Sequence, residues 1–309
     1  MSLFHGLASV ILSIALLTSP GARDVSFQPP GFPTNHPHCA QENPRVPLSC
    51  WWYVKAVQTS FAIQPVGVQG WFTVERPVVQ GGVHANYHSL AAMYISNVGT
   101  DGSLYDGVEV GWAVAPGIYT DEEPHLFVFP SIHGQQRGEC WADPTRCGWT
   151  PTPGAKHRVG EYIQPAYGTG TDHPFSVTFA DGRWNVLFDQ ENIGSFPESV
   201  WGGSFVKADI LAWYGEVQTV NAPGGPGCTY MGNGKFGTDP GSAKIGGMAY
   251  LNIDAGGWHL TWAHPSVDGL YGNEVFYKMG DHLSASWFTY GGPGGDVHGN
   301  GNVRACPSP

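Results

Sequence analysis

Charge is scarce in this chain: only 13% of its 309 residues are Asp, Glu, Lys or Arg, and 14 of them are basic. Together with a formal net charge of -11, that shortage argues against a polyphosphate partner, because nucleic-acid binders neutralise phosphates with Lys and Arg. Long apolar runs are almost missing too. The exception, Leu7 to Leu17, is too short to span a bilayer and is followed by Ser19-Pro20-Gly21-Ala22, small residues suited to signal-peptide cleavage. The expectation is a signal peptide over residues 1–22, secretion to the extracellular space, and a mature monomer with no membrane partner. Also lacking are H-E-x-x-H, a C-x-x-C pair, a G-x-S-x-G elbow, a P-loop and a dinucleotide fingerprint. No cofactor and no metal are therefore expected, and His84, His88, His36, His38 and Cys39, side chains able to ligate a metal, are set aside as ligands. Nothing shows a sustained helical period; Phe205 to Leu211 is the one stretch where a helix competes.

What is present is turn formers and rings: 44 glycines, 25 prolines, 12 tryptophans, 13 tyrosines and 15 phenylalanines, the composition of a β-protein. Residues 23–50 are Pro-rich and polar without periodicity and read as an extended N-terminal arm. From Trp51 onward, short β-branched and aromatic runs such as WYVKAVQTSFAIQ, SLAAMYIS, WNVLFD and WHLTW recur between Gly, Pro, Asn and Asp. That spacing predicts many antiparallel strands in a sandwich or barrel, with residues 51–309 as a single domain.

The six cysteines form an even set in a chain that reads as exported, which favours disulfides. Nearness in sequence makes Cys39 with Cys50 and Cys140 with Cys147 the cheap closures. Cys228 is then left for Cys306, which would staple the tail.

Two strand-like apolar runs are each interrupted by one carboxylate: GVEVGWAV by Glu109 and ILAWYGEVQTV by Glu216. A lone carboxylate inside an apolar strand costs free energy unless it is partnered, so the pair suggests two glutamates acting together. Strand alternation puts Glu109 beside Gly111 and Ala113, small residues that leave a groove for a bound chain, with Val108, Val110 and Trp112 on the opposite face. Glu216 shares its face with Ala212, Tyr214 and Gln218, whose hydroxyl and amide are available to bond a carboxylate, a water or a substrate carbonyl. Gly215 suggests a bulge or a close backbone approach. Trp112, Tyr214 and Gln218 are the candidates for substrate-binding or orienting roles. Two carboxyls in one site titrate in separated steps, so one can take a proton from water while the other donates. The competing reading, two ordinary solvent-facing glutamates, is not excluded by spacing.

Several segments in order resemble the neprosin family of secreted proteins: GVEVGWAVAPGIYTDEEPHLFVF, the Cys-to-Cys loop GECWADPTRCGW, WYGEVQT, MGNGKF and WFTYGGPGG, with HSLAAM upstream. The resemblance runs from about Val83 to Cys306. It implies an antiparallel β-sandwich and a metal-free glutamic endopeptidase with Glu109 and Glu216 as the catalytic pair, cutting a protein or peptide substrate at acidic pH next to proline. Departures are WNVLFDQENIGSFPE, Tyr214 in place of a frequent Gly, and the lack of an N-terminal activation domain of plant size. Paired carboxylates among tryptophans also suit a glycoside hydrolase or a non-catalytic glycan-binding sandwich.

Overall fold

A computed structural model describes residues 38–40, 49–80, 87–99, 104–136, 138–165, 172–220, 225–265, 275–280, 287–297 and 303–308. The expected signal peptide and most of the expected arm, with His36 and His84, lie outside these residues, as do the side chains of His38 and Cys39. In chain order the strands are β1 (His38–Ala40), β2 (Ser49–Gln58), β3 (Gly67–Thr73), β4 (His88–Val98), β5 (Leu104–Val114), β6 (His125–Ile132), β7 (Gln135–Gln136), β8 (Thr150–Pro151) and β9 (Asp172–Ala180). They continue as β10 (Arg183–Phe188), β11 (Glu191–Pro197), β12 (Ile210–Val220), β13 (Ala243–Asp254), β14 (Gly257–Trp262), β15 (Lys278–Met279), β16 (Phe288–Gly291), β17 (Gly295–Val297) and β18 (Val303–Ala305).

The strands form an antiparallel β-sandwich. One sheet has the order β1-β2-β12-β4-β5-β6-β7; the other runs β15-β16-β13-β3-β9-β10-β11-β8, with β14 on β13, and β17 pairs with β18. The chain lays β4, β5 and β6 side by side, leaves for the second sheet through β9 to β11, and returns as β12 between β2 and β4. That return brings residues 109 and 216 into one sheet.

Burial shows which strands are covered on both sides. β10 alternates, with Trp184, Val186 and Phe188 inward and Arg183, Asn185 and Leu187 outward, as expected for a half-exposed strand. β6 is buried at every position and β4 at all but its last two, the continuous apolar run of strands packed on both faces. One face of the β4–β5–β6 sheet meets the second sheet, where Trp112 and Trp213 donate from Nε1 to the Thr73 and Gln69 carbonyls of β3, both at 2.9 Å. The other face is covered by short helical turns that periodicity does not signal, α1 (Pro116–Tyr119) and α2 (Gly138–Ala142), followed by a 3₁₀ turn at Pro144–Cys147. Phe205 to Leu211 is not helical; its end begins β12.

Two expected disulfides are present, Cys140–Cys147 and Cys228–Cys306. Cys50 is disulfide-bonded, and the β1–β2 register sets Cys39 opposite it.

Of the two expectations for Gly215, a bulge or a close approach, the bulge is not found: β12 pairs in unbroken register on both sides of it. Its glycine serves a close approach instead, since a Cβ there would run into the Tyr290 ring and stand 3.1 Å from the Met231 sulfur. Gly111 is more constrained, because a Cβ would collide with the Ala91 carbonyl oxygen and lie 2.8 Å from the Ala92 Cα, backbone atoms of β4 that have no rotamer to yield. Gly111→Ala is expected to cost about 2–3 kcal/mol. Urea unfolding checks this as a lower midpoint with the slope unchanged.

Candidate active site

The outward face of the first sheet is set by register. β4 contributes His88, Leu90, Ala92 and Tyr94; Glu109 of β5 stands opposite Tyr94, and Glu216 of β12 stands opposite Leu90. Both glutamates therefore project from the same face, on the two strands that flank β4. Between them the floor is low, because Ala92 has Gly111 on one side and Tyr214 on the other. Tyr214 uses that low floor: its ring crosses from β12 over β4, and its hydroxyl donates to Glu109 Oε1 at 2.5 Å.

Glu216 has its own donors. His88 Nε2 lies 2.6 Å from Glu216 Oε1, and the Tyr53 hydroxyl, directly opposite on β2, hydrogen-bonds the same carboxylate. The two tyrosine rings meet edge to face at 5.9 Å. Each carboxylate is thus held by a different phenol, and among the described residues no hydrogen bond joins Glu109 to Glu216. The interaction is through space, across a gap one strand wide.

Burial sets the electrostatics. Glu109 is 9% exposed and Glu216 7%, and loss of water is the main reason the Glu109 carboxyl is pushed up to about 8. The negative charge of Glu216 adds to the rise, while the Tyr214 hydrogen bond opposes it. Tyr53 and Tyr214 are driven well above the ordinary phenol value, first by burial and then by the two glutamates. Tyr94, buried beside Glu109 and bonded to Ser131 and Ser96, rises to about 12 mainly through burial. At acidic and neutral pH Glu109 keeps its proton and the phenols keep theirs.

Trp141, carried on the Cys140–Cys147 loop, forms one wall. Its indole stacks on Phe127 with ring centroids 5.3 Å apart and lies 4.8 Å from His88. Lys55 on β2 is buried on this face, opposite Tyr214 and 5.9 Å from the Tyr53 ring centroid.

Of the candidates read from sequence, Glu109, Glu216 and Tyr214 come together, and Gln218 lies on the same face opposite His88. Trp112 does not: it is fully buried between the sheets, on the opposite side of β5 from Glu109. Alternation requires this, since residues 109 and 112 have opposite parity. Tyr53, Lys55, His88 and Trp141 join the site without a place in the sequence reading of it. A charge inside the apolar run of WYVKAV, the same signal carried by the glutamates, points to Lys55 and, two residues away on its face, Tyr53.

Residues 85–293 match the Neprosin family. The chain belongs to the Neprosin family. The match takes in His88, both glutamates and Tyr214, and membership of the Neprosin family supports a peptidase-type function. Two solved structures resemble the chain distantly. A GH16 of the Bacteroides ovatus mixed linkage glucan PUL, in complex with its product, has TM-score 0.30 and 6% identity over 59% of this chain and 71% of that one. A glycoside hydrolase family 16 endo-glucanase from Bacteroides ovatus has TM-score 0.28 and 7% identity over the same shares. Likeness at that level carries no argument beside the Neprosin match.

Proposed function

We propose that this Neprosin-family protein is a secreted glutamic endopeptidase that hydrolyses peptide bonds in proteins or peptides at acidic pH, next to proline, acting as a monomer without a cofactor. The supporting observation is the pair Glu109 and Glu216: two carboxylates more than nine-tenths buried on one sheet face, separated by β4 and held by different tyrosines. In this reading the scissile bond and one water lie against both carboxyls, over the Tyr214 ring that spans β4 between them. Glu216, accepting from His88 and Tyr53, takes a proton from that water as its oxygen attacks the carbonyl carbon. Glu109, protonated through burial, gives its proton to the carbonyl oxygen, so no full negative charge develops in a dry site. Collapse of the tetrahedral intermediate reverses both transfers: Glu216 passes its proton to the departing amine nitrogen as the carbon–nitrogen bond breaks, and the hydroxyl proton returns to Glu109. Tyr214 and Tyr53 hold the carboxylates apart and oriented, and Gln218 and Trp141 lie where a bound chain would pass.

The test is incubation with a reduced, denatured, proline-containing protein across pH 3 to 9, with and without a chelator, reading new termini by mass spectrometry. Cleavage unaffected by the chelator and declining through the Glu109 titration, at about pH 8, is the expected result. Release of reducing ends from neutral polysaccharides without peptide cleavage would replace this reading with glycoside hydrolysis.

A further inference from the structure

The outward face of the second sheet, on the far side of the sandwich from Glu109 and Glu216, carries side chains that the peptidase reading leaves unused. Trp258, Leu260 and Trp262 alternate along β14 and stand opposite Ile253, Leu251 and Ala249 of β13, so all six share that face. It continues onto β3 through Gln69, opposite Ala249, and then Trp71. Trp258 is 47% exposed, Trp262 55% and Trp71 49%. The tryptophans of the core, in contrast, are fully buried, and Trp112, Trp184, Trp201 and Trp213 each donate to a backbone carbonyl. Half-exposed indoles gathered on one surface mark a binding site more often than chance.

Beside this strip is a built cavity. Trp71 and Trp287 wall a shallow space of about 210 Å³, which Asp172, Lys244, Gly246 and Gly247 complete. The register between β13 and β3 slips between Gly246 and Ala249. Gly247 there has a φ of 60° and lies so close under Trp71 that a Cβ would stand 3.0 Å from the indole. Lys244 Nζ pairs with Asp172 Oδ2 at 2.6 Å, while the buried Asp172 Oδ1 has no hydrogen-bond partner among the described residues. The partly exposed Lys244–Asp172 pair beside two indoles is a setting for a hydroxyl-rich ligand.

The rest of the face decides what kind. Across β9 and β10 it presents Ser176, Thr178 and Asn185, with Arg183 at the end, bonded to the Ser195 hydroxyl. In a chain of net charge -11 the charges on this surface are few and mixed in sign: Arg183, and Lys244 paired with Asp172. An anionic membrane or a nucleic acid would need a cluster of Lys and Arg that it lacks.

We propose that this face binds a neutral, extended β-linked polysaccharide. Trp258 and Trp262, roughly 13 Å apart at strand spacing, stack on separate sugar rings of one chain, and the Trp71–Trp287 cavity takes a further ring whose hydroxyls bond Asp172 and Lys244. A pyranose ring has an apolar C–H face and a rim of hydroxyls, matching indoles flanked by hydroxyl and amide groups. A flat ribbon of β-linked rings fits a flat sheet, whereas a coiled chain touches it at few points.

The experiment is depletion of the full chain from solution by insoluble cellulose, with intrinsic tryptophan fluorescence titrated by cellohexaose. Size-exclusion chromatography and neutral phosphatidylcholine vesicles run in parallel. Retention on cellulose and a saturable fluorescence change are expected, both weakened about tenfold or more in Trp258→Ala and Trp71→Ala, the scale of a lost aromatic contact. Cleavage of a soluble protein should be unchanged in those variants, and glycan binding should survive Glu216→Gln. Binding lost with Glu216→Gln but kept in both tryptophan variants would assign the sugar to the glutamate face and overturn the proposal. So would no binding to either glycan, vesicle binding that depends on Trp258, or a dimer that Trp262→Ala dissociates.

Discussion

Glu216→Gln and Glu109→Gln are each expected to abolish peptide cleavage, by about a thousandfold or more, the loss that follows removal of a positioned acid or base. The amides keep the shape, and in Glu109→Gln the amide oxygen can still accept from the Tyr214 hydroxyl, so folding should persist. Neither amide can carry a proton between water and substrate. Because the two glutamates work in one step, the double variant should be little worse than either single one. Initial rates on a denatured protein at acidic pH, with near-ultraviolet circular dichroism as the folding control, measure this. Cleavage retained in both single variants would reject the glutamate pair. Additive losses would separate the roles of Glu109 and Glu216 into independent steps.

Part of the site is legible in one dimension. A carboxylate inside a run such as GVEVGWAV stands out against an otherwise apolar strand, and alternation assigns Gly111 and Ala113 to its face and Val110 and Trp112 to the core. The same alternation rules Trp112 out of the site. Which strand lies next to which is not written in local pattern. Tyr53 reaches Glu216 only because β12 returns from the other sheet to lie against β2, a pairing between residues more than 150 positions apart. The pattern of β12 offers the Tyr214 hydroxyl to a carboxylate, and the nearest one along the chain is Glu216, on its own strand. Tyr214 bonds Glu109 instead because two small residues, Ala92 and Gly111, let its ring cross β4, a consequence of register and not of sequence proximity. His88 stands out in sequence by its spacing from His84, a metal-ligand pattern; its fold position makes it a partner of Glu216. Cys140 and Cys147 are readable as a pair because they are close in sequence, but the placing of Trp141 against His88 by their loop is not. Among the tryptophans, hydrophobicity alone does not separate Trp112, Trp184, Trp201 and Trp213 of the core from Trp71, Trp258 and Trp262 at the surface.

The fold should be most stable in acid, a second large effect that follows from burial. Glu109 moves from an ordinary value of 4.5 to about 8, and Glu75, buried just past β3, moves from 4.5 to about 7, each mainly through loss of water. Both folded values lie above the unfolded ones. Between pH 4.5 and their folded values the unfolded chain has released these protons while the native state still holds them, so stability falls as pH rises. The contribution is fully present below pH 4.5 and is lost by about pH 8. The two shifts have the same sign and the same cause, so their effects on stability add as pH rises. The opposing carboxylates, Asp143, Glu191 and Asp254, are held low by hydrogen bonds, but they are exposed and screened, so they offset little of it. Thermal unfolding followed from pH 4 to 9 should therefore show its highest midpoint near pH 4.5 to 5 and a marked decline towards pH 8. Glu109→Gln and Glu75→Gln remove the ionisation without removing the shape, and each should flatten its share of that decline, leaving the variant more stable than the parent at pH 8. A parent midpoint that rises from pH 5 to 8 would mean that water reaches Glu109 in the resting protein. The proton assigned to Glu109 in the proposed catalysis would then have to come from elsewhere.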